Sequence, residues 1–283
     1  MTTSLTQGRR QDEPASHGIP LSRLEQLYNQ PYYLADCEGH ERFAYGHGRR
    51  LSKRLKKCFE LLDPQPNENV VDVGCGRGEI VLNCIARGAR AIALDVSSAA
   101  LQLIGPAAQQ WTIDPTEVMC LRARIEAMPI RSEWADALVM SDIIEHIPGD
   151  VAPVALAECY RVLKPGGRLI IHTQPNRRLV DTTVPILARW SRYWNVKLPS
   201  DLRMEMTDGA GPEYHVNEQT RGQLARCLRQ AGFRIEQLWL EGTYPIHRIF
   251  GDSRLKPWLI RQFRQNRWLR ELFASQIFAV ARR

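Results

Sequence analysis

The sequence predicts an α/β protein built on a doubly wound parallel sheet, and three observations carry that expectation. From Val70 onward short apolar runs alternate with helical stretches, the pattern of βαβ units. The runs NVVDV, RAIALD, EVMCL, DALVMS and GRLIIHT are nearly continuous in apolar residues, as strands buried on both faces are. The first of them passes through the loop Gly74-Cys75-Gly76-Arg77-Gly78 straight into a helical segment, where such sheets place their ligands.

The elements follow in order. Residues 1–20 are polar and without periodicity, which predicts a disordered tail. Residues 21–66 predict a helical cap in at least two pieces, the second being RRLSKRLKKCFELL with apolar residues near helical spacing. Two prolines and turn formers in DPQPNEN end it. The rest, 67–283, reads as one domain. Its helices are expected at Glu79–Arg87, Ser97–Gln109 and Val151–Leu163, and LKPGGR stops the last of these before the fifth strand. An insertion over 175–220 carries the aromatic stretch ILARWSRYWNVKL and the turn region DGAGPEY. A helix over Glu218–Gln230, the strand FRIEQLWLEG, a second insertion over 243–274 and the strand SQIFAVAR complete the chain.

Composition narrows the classes. At 44% hydrophobic and 24% charged over 283 residues, the chain is not wholly disordered or low in complexity. No apolar run reaches the length a bilayer needs. The net charge of +7 is local: residues 1–253 hold 30 basic and 30 acidic residues, whereas 254–283 hold 8 basic residues and one acid, Glu271. Seven cysteines lack any CxxC spacing, so no zinc or other metal site is expected. With no apolar leader in the first twenty residues, free thiols in the cytoplasm are the expectation.

The glycine loop discriminates among ligands. A dinucleotide fingerprint places its third glycine five residues after the first; here Gly78 follows Gly74 by four. Asp72 ends the strand, where a carboxylate repels pyrophosphate but suits an ammonium group. Asp95 ends the next strand, where a ribose diol would lie. An amino group and a ribose without pyrophosphate point to S-adenosylmethionine.

At these residues a resemblance becomes specific. VVDVGCGRGEI followed by AIALDVS resembles the first two motifs of class I methyltransferases. ARIEAMPIRSEWADALVMSDIIEHIPG and ALAECYRVLKPGGRLIIHT are similar to the rest of the small-molecule methyltransferase domain of the ubiquinone-biosynthesis type. The match covers roughly Asn69–Thr173, about a third of the chain, with weaker similarity through HVNEQT and AGF. The resemblance implies a Rossmann-like seven-stranded sheet, six strands parallel and the last antiparallel, with N-terminal helices and substrate-side insertions. It also implies S-adenosyl-L-methionine as cofactor. Asp72 would lie near the methionine ammonium, and Gly74, Cys75, Gly76 and Gly78 would line the methionine moiety through their backbone. Asp95 would accept from the ribose hydroxyls and Val96 would pack on adenine, with Ile125 and Glu126 in the segment that reads the adenine amino group. Ser141 and Asp142 would border the sulfonium. Arg124 departs from the pattern, standing where the family usually carries an acid.

Two histidines are candidates for proton removal from an acceptor, His146 in SDIIEHIPG and His215 in GPEYHVNEQT, on position alone; each could equally be a structural residue. His172 lies inside the fifth strand and reads as structural. Leu187, Trp190, Tyr193, Trp194 and Val196 could wall an acceptor pocket or pack the insertion as core, and Tyr32 and Tyr33 could line the same pocket.

The function expected is O-methylation of a small-molecule, glycan or lipid-linked hydroxyl. The alternatives are an RNA or protein methyltransferase using the basic 254–270 segment, or a cofactor-binding protein without turnover. Nucleic acid is disfavoured, because the rest of the chain is charge-balanced. In 254–272, Trp258, Leu259, Phe263, Trp268, Leu269 and Leu272 interleave with Arg261, Arg264, Arg267 and Arg270. That stripe either packs on the domain or contacts a membrane or a phosphorylated acceptor.

Overall fold

A computed structural model describes residues 20–191, 215–242 and 256–283. The expected tail over 1–20 falls outside these except for Pro20, as do Tyr193, Trp194, Val196 and the side chain of Trp190.

Seven strands form one sheet: β1 (Asn69–Val73), β2 (Arg90–Asp95), β3 (Met119–Arg122), β4 (Ala135–Ser141), β5 (Leu163–Thr173), β6 (Arg234–Glu241) and β7 (Gln276–Arg282). Their order is β3-β2-β1-β4-β5-β7-β6. The first five pair in parallel, and β7 runs antiparallel to both β5 and β6, so six strands share one direction. The chain therefore reverses its winding between β1 and β4, and the crevice beyond the carboxyl ends of these two strands is the ligand position of the fold.

Alternation along the strands builds a core on each face. Val71, Ile92, Leu138, Met140, Leu169 and Ile277 face one side. There they meet α6 (Ala152–Val162) and α8 (Arg221–Gln230) through Leu156, Leu224 and Leu228. Ala91, Ala93, Ala137, Val139, Ile170 and Phe278 face the other. The alanines on that face leave room for α3 (Lys53–Leu62), α4 (Glu79–Ala86) and α5 (Ser98–Gln110), which contribute Leu62, Val81 and Ile104. Truncating one such leucine, for example Leu138, costs about 2–5 kcal/mol by lost transfer energy and cavity formation.

Three sequence expectations shift. β3 is not buried on both faces: Met119 is 53% exposed, because this strand has a neighbour on one side only. The strand β5 begins at Leu163, inside LKPGG, and a register shift between Ala135 and Ala137 of β4 absorbs the turn. Helix α8 begins at Arg221, not Glu218, because Thr220 and Gln223 close a capping box that fixes its first turn.

The N-terminal cap comprises α1 (Leu21–Leu27), a π-helical turn (Tyr32–Asp36), α2 (His40–Gly46) and α3. After β5 come a second π-helical turn (Leu179–Thr183) and α7 (Val184–Ser191), while α9 (Lys256–Gln265) and α10 (Arg267–Phe273) lie between β6 and β7. The basic segment is thus an insertion in the sheet rather than a terminal extension. No described helix is long and apolar enough to cross a membrane.

Candidate active site

A cavity of about 260 Å³ opens at the carboxyl ends of β1, β2 and β4. Its floor is the glycine loop. Gly74, Gly76 and Gly78 all have positive φ, at 69°, 51° and 77°, a region costly for residues with a Cβ. At Gly74 the requirement is also steric: a Cβ would lie 2.0 Å from Ile143 Cδ1. Gly76 faces Tyr33, with 3.6 Å from its Cβ position to Cε1.

Gly78, expected to line the methionine moiety, is not among the residues that border the cavity. It caps α4 and lets that helix approach α5, where a Cβ would sit 2.9 Å from Ile104 Cγ1. The other expected cofactor residues all border the cavity: Asp72, Gly74, Cys75 and Gly76 from the first loop, Asp95 and Val96 from the end of β2, Ile125 and Glu126 from the loop after β3, and Ser141 and Asp142 from the end of β4.

The two acids, Asp72 next to the end of β1 and Asp95 at the end of β2, differ in their surroundings. Asp95 is buried, with Oδ2 accepting from Gly76 N–H at 2.9 Å and Oδ1 accepting from Ser97 N–H at 2.9 Å. Burial nonetheless raises its pKa against those bonds. Asp72 is 4% exposed and is pushed up to about 8 by burial, by Asp95 and by Glu79, all acting in the same direction. A carboxylate in that state accommodates a positive group beside it, which would restore its ionised form.

Asp142 has protein partners instead. It sits at φ 56°. One oxygen meets Arg54 Nε in an ion pair, and the other lies 2.8 Å from Nδ1 of the fully buried His172. Although burial opposes it, Arg54 and His172 hold this carboxyl well below the usual range. His172, inside β5, thus meets a residue of the cavity wall.

His146 and His215 are brought together. Both border the cavity, with ring centroids 4.7 Å apart in a T-shaped contact. His146 follows β4, and His215 opens the segment that returns toward α8. Val216 N–H and Asn217 N–H both donate to the Glu145 carbonyl at 3.0 Å. Asn217 Nδ2 donates to the Ile144 carbonyl at 3.2 Å. Tyr28 Oη lies 3.1 Å from His146 Nδ1, and the Tyr28 carbonyl accepts from Ser97 Oγ at 2.6 Å. One cap residue therefore links the histidine pair to the loop that holds Asp95.

The roles of two site residues, Arg77 and Glu145, left no readable signal in the sequence. Arg77, 3% exposed, donates to the carbonyls of Tyr33 at 2.8 Å and Glu38 at 2.8 Å, and pairs with buried Glu79 at 3.3 Å. Its guanidinium also stacks over Phe43, 5.3 Å from the ring centroid. It fastens the cap to the glycine loop, and both Tyr32 and Tyr33 border the cavity. Glu145 is fully buried and accepts from Thr173 Oγ1 at 2.9 Å; burial and Asp142 raise its pKa strongly. Arg124, the departure from the family pattern, also borders the cavity and forms an ion pair with Glu126.

Comparisons with known proteins agree with this geometry. Residues 71–171 match a family described as "Methyltransferase domain". The ubiquinone/menaquinone biosynthesis C-methyltransferase UbiE of Rhizobium etli is 28% identical over 177 residues, spanning 60% of this chain and 66% of the relative. The ubiquinone biosynthesis O-methyltransferase of Alkalilimnicola ehrlichii is 31% identical over 121 residues, spanning 42% and 47%. The chain thus spans 47–66% of the length of these curated relatives. Among solved structures, geranyl diphosphate C-methyltransferase from Streptomyces coelicolor superposes with a TM-score of 0.58 at 17% identity, covering 95% of this chain and 100% of that one. A cyclase, SpnF, superposes with a TM-score of 0.59 at 17% identity, covering 94% and 98%. Those identities bear on the fold alone. Residues 71–171 are thus similar to a methyltransferase domain, and motif order, strand order and these relatives support the class I, S-adenosylmethionine-dependent type.

Proposed function

We propose that this protein is an S-adenosylmethionine-dependent methyltransferase that acts on a small-molecule acceptor, at a hydroxyl oxygen. The observation that carries the reading is Asp72, a buried cavity carboxylate pushed up to about 8 with no counter-charge to lower it. It fits the ammonium of the cofactor's methionine moiety. Asp95, fixed by two backbone N–H groups, fits a ribose diol. The glycine loop lets a ligand approach the backbone at Gly74 and Gly76.

When bound, the cofactor supplies a methyl group already activated by a positive sulfur. What remains for the chain is to orient the acceptor, exclude water and take a proton. His146 and His215 are the groups proposed for the proton. For His146 to accept it at Nε2, Nδ1 must carry the hydrogen and donate it to Tyr28 Oη, which the 3.1 Å separation permits. Tyr32 and Tyr33 from the cap supply aromatic wall. A division into a cap over 21–66 and a catalytic domain over 67–283 belongs to this reading, supported by the break between α3 and β1. So does a cytoplasmic location, supported by seven free cysteines.

Calorimetry with S-adenosylhomocysteine tests the cofactor, and absence of binding ends the proposal. Untargeted metabolite comparison of a deletion strain then identifies the acceptor as a species one CH₂ lighter than the normal product. Transfer to carbon is the second reading, favoured by the names of several relatives. Structure determination of the methylated product decides between oxygen and carbon.

A further inference from the structure

The excess positive charge of residues 254–283 meets two fates in the fold. At the end of β7, Arg282 pairs with Glu236 at 3.2 Å and Arg283 with Glu133 at 2.8 Å. The one acid of the segment, Glu271, turns inward at 9% exposure and is met by Arg221 at 2.5 Å. That leaves Arg261, Arg267 and Arg270 exposed on α9 and α10, with no acidic partner among the described residues.

Two tryptophans accompany them. Trp258 is 58% exposed and Trp268 is 78% exposed. The helix pair does not need them for packing. Phe263 is buried and rests against Phe273, ring centroids 4.4 Å apart. Asn176 Nδ2 donates to the Glu271 and Ala274 carbonyls at 3.1 Å, and Thr183 Oγ1 donates to the Leu272 carbonyl at 2.6 Å. Half of the amphipathic expectation therefore stands: the stripe packs through Phe263, while its tryptophans remain outside.

We propose that α9 and α10 form a docking surface for an anionic lipid bilayer. Exposed arginines that meet no acid among the described residues suit lipid phosphates, and indole rings, apolar with one N–H donor, favour the membrane–water interface. An ordinary solvated helix face would intersperse acids with its arginines and carry no indoles. Nucleic acid is the poorer fit, because the net charge lies in residues 254–283 alone, the chain being balanced through residue 253. The surface also lies at the ligand end of the sheet: Asn176, which holds α10, is two residues from Gln174 on the cavity wall.

The test is co-sedimentation of the full chain with extruded vesicles of phosphatidylcholine alone and of phosphatidylcholine with an equal part of phosphatidylglycerol. Binding to the anionic vesicles only, weakened by added salt, is expected. Replacing Arg261, Arg267 and Arg270 with Gln should weaken it about fivefold per arginine. Replacing Trp258 and Trp268 with Ser should weaken it by at least roughly tenfold while keeping the salt dependence. Unchanged urea midpoints verify that the variants fold. Equal pelleting with both vesicle types, pelleting with neither, or full binding by the triple Arg→Gln variant overturns the proposal. Binding to single-stranded RNA without vesicle binding overturns it as well.

Discussion

The Arg77 guanidinium, in the middle of the glycine loop, donates a 2.8 Å hydrogen bond from Nη1 to the carbonyl oxygen of Tyr33, forty-four residues earlier in the chain. Through this bond, the Glu38 carbonyl and the Glu79 carboxylate, one buried cation joins the cap, the loop and the start of α4. The wall of the cavity and its floor are therefore mechanically one unit.

Arg77→Ala should release the cap and leave Glu79 buried without its partner. The loss expected is about 3–5 kcal/mol, that of breaking a buried pair. Urea denaturation measures it, and limited proteolysis should show early cleavage within residues 20–50. A variant as stable and as protease-resistant as the parent would show that the cap docks by other contacts.

Asp72 makes stability depend on pH with a definite sign. Its folded-state pKa of about 8 lies above the ordinary 3.8. The folded protein thus keeps a proton that the unfolded chain has released, and this group lowers stability as pH rises from 3.8 to about 8. Asp72→Asn should remove that part of the slope, read from urea midpoints at about pH 5 and about pH 9. In the parent protein, S-adenosylhomocysteine binding near neutral pH should release a proton as its ammonium ionises Asp72. Calorimetry in buffers of different ionisation enthalpy detects this release, and the Asn variant should lack it.

Gly74→Ala and Gly76→Ala separate steric from conformational demand. Both positions pay the left-handed backbone cost, about 1–2 kcal/mol. At Gly74 the new Cβ also meets Ile143 at 2.0 Å, whereas at Gly76 the nearest side-chain atom is 3.6 Å away. Overpacking should add about 1–3 kcal/mol at Gly74 alone. Equal destabilisation in thermal or urea unfolding would contradict this account.

His146→Ala and His215→Ala address the chemistry. The group that takes the proton should lose about 10²–10⁴ in kcat with little change in S-adenosylhomocysteine affinity. Tyr28→Phe should lower kcat less, since it positions His146 rather than exchanging the proton. Unaltered turnover in both alanine variants at saturating acceptor would end the general-base assignment.

The sequence by itself determined the strands, their parallel winding and the ligand end of the sheet. These follow from local composition: apolar runs such as DALVMS are strands wherever they are buried, and Gly74 and Gly76 reserve a backbone conformation that other residues strain to adopt. The placement of Asp72 and Asp95 on the cavity was legible for the same reason, one next to the end of its strand and one at it. Tertiary structure alone decided which distant residues complete the site. Nothing in GCGRG says that Arg77 binds the carbonyls of the cap, and nothing in QLYNQ says that Tyr28 meets His146 118 residues later. Gly78 carries the same local mark as its neighbours, yet its lack of a Cβ serves the packing of α4 on α5. The division has one physical cause. Backbone conformation and periodicity are set by near neighbours, whereas buried charges and hydrogen-bonding groups take the partners that folding brings to them, and those lie anywhere along the chain.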